Sequence, residues 1–257
     1  LQLRINPGPK GLENKNNTCY INAALQSLLV LSNFISELDI CYKLIENIQR
    51  DRRNAKPIMA SLLDLHRKSK TSNDADKMVN FVGAFKKFAR QYTPYKKYTS
   101  NRQEDSGEFI NDLLNILISS IDSDLHQIMH HQEGIRNPVV SFFQSTLQVA
   151  NFCTTRGCRY KMSWTNQVVL NFYLPITSSL KNSFINHFKP TRIENNCTSC
   201  FTQSLATVTH FTQLPSALIL CVSRVMEDNF SKDNRKMGIP KIIEASENAM
   251  GNQHDSV

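Results

Sequence analysis

The sequence predicts an α+β fold, with a helical half followed by a strand-rich half. Three observations carry that prediction. Apolar residues recur at helical spacing from Cys19 onward and again across Gln103–Ile121. Past a seam near Gln132–Pro138 the pattern changes to short β-favouring runs with partial alternation. Four of the seven cysteines form two close pairs among those runs. The 257 residues allow one large domain or two modest ones. With 40% apolar and 20% charged residues, the chain is neither a disordered polyelectrolyte nor a collagen-like repeat.

Leu1–Thr18 lacks periodicity and reads as an extended lead-in with turns at Pro7–Gly8–Pro9. Ile21, Ala24, Leu25, Leu28, Leu29 and Leu31 then form an apolar stripe, with Thr18 placed to cap the helix. Ile35–Ile48 and Met59–Leu65 read as shorter helices. Asp74–Tyr92 reads as another, ended by Pro94. Gln103–Ile121 buries Phe109, Ile110, Leu113, Leu114, Leu117 and Ile121, and its start carries Glu104, Asp105 and Glu108, which suit the positive end of a helix dipole. Val139–Val149, Ser163–Leu174, Leu205–Thr212 and Ala217–Arg224 read as strands.

The formal net charge is +8, and it is unevenly spread. Tyr42–Arg102 holds 15 Lys/Arg against 5 Asp/Glu, a net of +10 that leaves −2 for the rest. Such a field could attract nucleic acid, but no nucleic-acid module pattern accompanies it, so a solvated surface is the expectation. The two longest uncharged stretches, Asn16–Ser36 and Asn195–Ser223, are too polar to span a bilayer, so no membrane partner is expected. With no signal-peptide pattern and an odd cysteine count, the expected compartment is the cytoplasm or nucleus.

Gly11–Gln26 reads GLENKNNTCYINAALQ. A cysteine in the first turn of a helix lies near unpaired amides and the positive dipole end, a setting that favours the nucleophilic thiolate. Asn14, Asn16 and Asn17 precede it, and any of them could donate to a developing oxyanion. A buried cysteine that merely starts a core helix is the alternative from composition alone. The stretch closely resembles the cysteine box of ubiquitin-specific proteases, roughly GL-x-N-x-GNTCY-x-N-x-x-LQ. Gly11, Leu12, Asn14, Asn17, Thr18, Cys19, Tyr20, Asn22, Leu25 and Gln26 match. The resemblance implies a papain-like cysteine protease fold with Cys19 as nucleophile and Asn14 as oxyanion-hole donor. Asn16 stands where the family usually has Gly, and Asn tolerates the positive φ that Gly would ease.

Gln103–Leu114, QEDSGEFINDLL, is similar to the family's second box, through Gln103, Asp105, Glu108, Phe109, Leu113 and Leu114. The resemblance implies that Gln103, Asp105 and Glu108 bind substrate beside the ubiquitin tail. A charge at a helix N-terminus is the compatible structural reading of Asp105. Leu214–Leu220, LPSALIL, resembles the family's palm strand. Arg224 fits the segment after it, and Lys236 with Ile239–Pro240 loosely fits the next.

Cys153-x4-Cys158 and Cys197-x2-Cys200 are separated by 38 intervening residues. Two close thiol pairs in a reducing compartment suit tetrahedral Zn2+, with Gly157 easing the first turn. The resemblance implies that this site is structural, at the tip of a β fingers subdomain. It divides the chain into a helical thumb part (1–135), zinc-ribbon-like fingers (136–212) and the start of a palm sheet (213–257). The whole of 1–257 is then one incomplete catalytic domain.

None of the seven histidines fits the family's late histidine block. His66 lies in a basic run and is expected in solvent, His126 and His130 share a helix face, and His254 lacks the family's flanking residues. The catalytic His and its Asp/Asn partner are therefore expected outside this sequence. The implied function is a thiol-dependent deubiquitinase that hydrolyses isopeptide or peptide bonds after the C-terminal Gly of ubiquitin, with ubiquitin or ubiquitinated proteins as partners. The alternative is a catalytically inactive ubiquitin-binding module. A zinc-ribbon nucleic-acid binder is a more remote rival, which the cysteine box argues against.

Overall fold

Where apolar residues recur at helical spacing the chain is helical, though the ends shift. The computed structural model describes residues 11–12, 14, 17–48, 55–68, 75–128, 135–160, 162–224, 231 and 233–240. They belong to two units, Leu1–Phe142 and Phe143–Val257. Among the described residues no helix is long and apolar enough to cross a membrane.

The first unit is helical: α1 (Cys19–Leu29), α2 (Ser32–Ile45), α3 (Lys56–Lys68), α4 (Ala75–Ala89), a 3₁₀ helix (Thr93–Thr99) and α5 (Ser106–Ile128). Phe34, Phe81, Phe85, Tyr98 and Phe109 are fully buried at its centre. Pro94 does more than end α4, since it lies in the first turn of the 3₁₀ helix. α5 starts later than the apolar stripe suggests because Asp105 caps it: the Glu108 N–H donates to Asp105 Oδ1 at 2.8 Å.

One charge in the basic stretch departs from the expected solvated surface. Lys56 is 6% exposed, and its Nζ donates to the Ile48 carbonyl. The Asp124 carboxylate, 1% exposed, lies 3.7 Å from the same Nζ. Removing one partner of a buried pair is costly because the other charge stays buried. Lys56→Met is therefore expected to cost about 3 kcal/mol in denaturant unfolding. A cost under about 0.5 kcal/mol would mean that the pair is immaterial to the fold.

At the boundary between the two units the chain differs from expectation. Val139–Phe143, expected as strand, is the short helix α6 (Pro138–Phe143). Asn137 and Pro138 start it: the Val139 N–H donates to Asn137 Oδ1 at 3.0 Å, and Pro at the first helical position has no N–H to lose. The strand proper is β1 (Ser145–Cys153), antiparallel to β2 (Ser163–Val169) and β5 (Leu205–Gln213), with β4 (Thr191–Arg192) beyond β5. The expected run Ser163–Leu174 breaks at Leu170, and β3 (Asn171–Pro175) leaves to pair in parallel with β6 (Ile219–Ser223). A helix the sequence pattern did not reveal, α7 (Leu180–His187), is capped by Ser179, whose Oγ accepts the Asn182 N–H at 3.1 Å. Leu147, Phe172, Leu174, Phe184, Phe188 and Phe211 form the second unit's core.

Candidate active site and metal centre

Cys19 is the first residue of α1, and it is exposed. Thr18 precedes it but does not cap through its side chain. The Thr18 N–H and hydroxyl instead donate to Asn14 Oδ1, at 3.0 and 3.3 Å. With the oxygen of the Asn14 carboxamide turned to Thr18, its NH₂ is the end left to donate elsewhere. Asn22 ties the box together from inside α1. Its Nδ2 donates to the Leu12 carbonyl at 3.1 Å, and its N–H to the Thr18 carbonyl at 2.9 Å. Asn16, where a positive φ was expected, lies outside the described residues. Asn17 adopts φ 61° and donates through Nδ2 to the Asn101 carbonyl at 2.9 Å.

The two sequence boxes meet through aromatic rings. Tyr20, next to Cys19, packs edge-on against Phe109 of α5 with ring centroids 5.5 Å apart, and it stacks on Tyr98 at 6.1 Å. Burial, then the neighbouring Glu104 and Cys19, push the Tyr20 hydroxyl up to about 12. The lead-in to α5 therefore lies beside the start of α1. Gln103, Asp105 and Glu108 are all exposed there. Glu108 pairs with Lys97, which also lies 3.4 Å from Asp112 and 4.8 Å above the Tyr98 ring. The Tyr98 hydroxyl donates to Asp112 at 2.7 Å. No local pattern marks Lys97, Tyr98 or Asp112, because contacts from a 3₁₀ helix to the next helix leave no local period.

The four paired cysteines converge. Their Sγ atoms all lie within 4.8 Å of one another, and among the described residues they are the group that could hold a metal ion. Cys153 and Cys200 are 3.7 Å apart, and Cys158 and Cys197 are 3.6 Å apart. Thiolates about 2.3 Å from a tetrahedral zinc would be spaced about 3.8 Å apart, whereas a disulfide needs about 2 Å. All four are free thiols. Gly157 takes φ 75° in the first turn, as expected, and Phe201 takes φ 58° after the second. Ser204 Oγ lies 3.0 Å from Cys153 and Thr202 Oγ1 lies 3.0 Å from Cys200. Backbone N–H groups of Thr155 and Ser199 donate to Cys153 and Cys197, both at 3.4 Å. Hydrogen bonds from the Thr202 side chain and backbone draw the Cys200 thiol down to about 5. Donors aimed at sulfur stabilise thiolates and form the outer shell a zinc site needs. The donor set fits structural Zn2+, closed by four protein ligands and without a coordination position for chemistry.

The sequence pattern of the ubiquitin carboxyl-terminal hydrolase family matches residues 10–256. The chain belongs to that family. Ubiquitin carboxyl-terminal hydrolase 29 of Homo sapiens is 25% identical over 262 aligned residues, covering 92% of this chain and 28% of that protein. Ubiquitin carboxyl-terminal hydrolase 28 of Mus musculus is 28% identical over 155 residues, covering 56% of this chain and 13% of that protein. Among solved structures, the SAGA DUB module of Ubp8, Sgf11, Sus1 and Sgf73 bound to monoubiquitin matches with a TM-score of 0.72 at 19% identity. That match covers 95% of this chain and 54% of the solved one. The same module bound to ubiquitin aldehyde matches with a TM-score of 0.67 at 19% identity, over 90% of this chain and 51% of the other. The fold is thus the α+β, papain-like fold of this family. The chain spans less than a third of the curated relatives and about half of the solved chains.

For a ubiquitin carboxyl-terminal hydrolase the position of the histidines matters. Among the described residues Cys19 makes no hydrogen bond to an imidazole. His66, expected in solvent, is half-buried on α3. His126 is exposed near the end of α5, and His130, His131 and His254 lie outside the described residues. His187 is on α7, edge-on to Phe172 at 5.9 Å. His210 on β5 lies 3.0 Å from Gln148 Oε1 and edge-on to Trp164 at 5.6 Å.

Proposed function

We propose that this chain provides the nucleophile, oxyanion donor and substrate-tail contacts of a thiol-dependent deubiquitinase. The observation that carries the reading is the meeting of the two boxes. Tyr20–Phe109 packing holds an exposed Cys19 at a helix start beside the exposed lead-in of α5. Such a cysteine attacks the carbonyl carbon of the bond after the C-terminal Gly of ubiquitin, forming a carbon–sulfur bond. The Asn14 NH₂ donates to the oxyanion. The C–N bond then breaks, the leaving lysine amine takes a proton, and water hydrolyses the thioester to free ubiquitin and the thiol. An imidazole has to take the thiol proton and return it to the amine, and no described residue bonds to Cys19 in that role. The zinc-binding cysteines stiffen the fingers and take no part in the chemistry. In this reading 1–135 is the thumb, 136–212 the fingers and 213–257 the start of the palm, and the protein works in the cytoplasm or nucleus.

Gln103, Asp105 and Glu108 are the proposed contacts to the basic ubiquitin tail. Asp105 can be tested apart from its cap. Asparagine caps helices as well as aspartate does, so Asp105→Asn is expected to leave stability unchanged and to raise KM about tenfold through the lost charge. An unchanged KM would reduce Asp105 to a capping residue.

The alternative reading is a ubiquitin-binding module without turnover. Full-length protein incubated with ubiquitin bearing a C-terminal amide-linked fluorophore separates the two. Release of the fluorophore is expected. Ubiquitin binding without release would establish the module instead.

A further inference from the structure

Asn17 and Asn14 belong to the same asparagine-rich loop but do different work. Asn17 lies two residues before Cys19 with φ 61°, in the left-handed region that favours Gly and Asn. Its amide reaches across 84 residues of sequence to donate to the Asn101 carbonyl at 2.9 Å. Asn101 is itself held from a third element. Lys86 Nζ of α4 donates to Asn101 Oδ1 at 3.2 Å and to the Ser100 carbonyl at 3.5 Å. Asn101 lies two residues before Gln103 and four before Asp105, where the proposed tail contacts begin. Behind this surface α4 is seated by packing, with Phe85 5.0 Å from Phe109 and 5.6 Å from Tyr98.

We propose that Lys86, Asn101 and Asn17 form a clamp that sets the spacing between the nucleophile loop and the segment that grips the substrate tail. Asn17 is a positioning residue: it acts on Cys19 through the loop and touches no reacting atom. The inference rests on the deubiquitinase reading of this site. Of Asn14 and Asn17, the amide left to face an oxyanion is then that of Asn14, because Asn17 is turned to Asn101. Asn17 and Asn101 are exposed and Lys86 is half-buried, so the clamp contributes little to folding. It acts on geometry instead: the tail enters from the Asn101–Asp105 side, and the attacking sulfur sits at the end of the Asn17–Cys19 loop. Small displacements between a nucleophile and its bound substrate cost rate far more than affinity.

The test uses full-length protein and the ubiquitin–fluorophore substrate. Asn17→Gly keeps the left-handed backbone and removes the donor. It is expected to lower kcat about tenfold, with KM within about twofold and an unchanged melting temperature. Lys86→Met is expected to lower kcat several-fold. Added to Asn17→Gly it is expected to cost nothing further, because one clamp is broken only once. A kcat for Asn17→Gly within about twofold of wild type, a loss confined to KM, or additive effects of the two changes would overturn the clamp. Cys19→Ala serves as the control. If it still cleaves, the deubiquitinase reading fails; if it is inactive while Asn17→Gly is fully active, only the clamp fails.

Discussion

Cys197→Ser is expected to strip the protein of its zinc and to loosen the two turns at the end of β1 and before β5 that carry the four thiols. Cys197 is fully buried, and its carbonyl and N–H close the turn with Phe201 and Thr202 at 2.8 Å each. Wild-type protein purified from cells should carry about one zinc per chain, and the variant less than about a tenth of that. A structural metal binds the folded state alone, so its loss is a loss of folding free energy. The sheet keeps its other packing, with Leu147 and Phe211 in the core that also holds Phe172 and Phe184. The expected penalty is therefore several kcal/mol, or roughly 10 °C in melting temperature, short of complete unfolding. A chelator should reproduce the shift in wild type and leave the variant unmoved. Zinc-free wild type that melts at the same temperature as zinc-bound wild type would contradict the metal assignment.

Cys19→Ala is expected to abolish cleavage of ubiquitin–fluorophore by full-length protein, a fall of at least about a thousandfold. Ubiquitin binding should persist, since the sulfur contributes little to a protein–protein contact. Stability should change by less than about 0.5 kcal/mol, because Cys19 is exposed and Tyr20 and Asn22 hold the start of α1. This separates Cys19 from Cys41, which is 3% exposed and whose thiol burial pushes up to about 11. Cys41→Ala removes a core group and should cost stability while leaving catalysis intact.

The helical half was legible because burial against a core imposes a period. Phe34, Leu38 and Ile45, or Phe109, Leu113 and Leu117, lie on the faces the spacing selects. The misreadings have local causes. Val-Val-Ser-Phe-Phe favours strand by residue type, but Asn137–Pro138 is a helix start that outweighs it. α7 carries few apolar residues for its length, and only the Ser179 cap marked it. The cysteine spacing pointed to a four-thiol site because chelation leaves a pattern in sequence. The division of labour among the asparagines did not show, because donors acquire direction only from distant groups. Asn17 is fixed by Asn101, and Lys56 is fixed beside Asp124, each from far along the chain.

The most direct measurement is to react full-length protein with ubiquitin carrying a C-terminal electrophile and to map the adduct by peptide mass spectrometry. One covalent ubiquitin per chain is expected, attached through Cys19, and none after Cys19→Ala. An adduct on another cysteine, or no adduct from protein that binds ubiquitin and retains its zinc, would contradict Cys19 as the nucleophile.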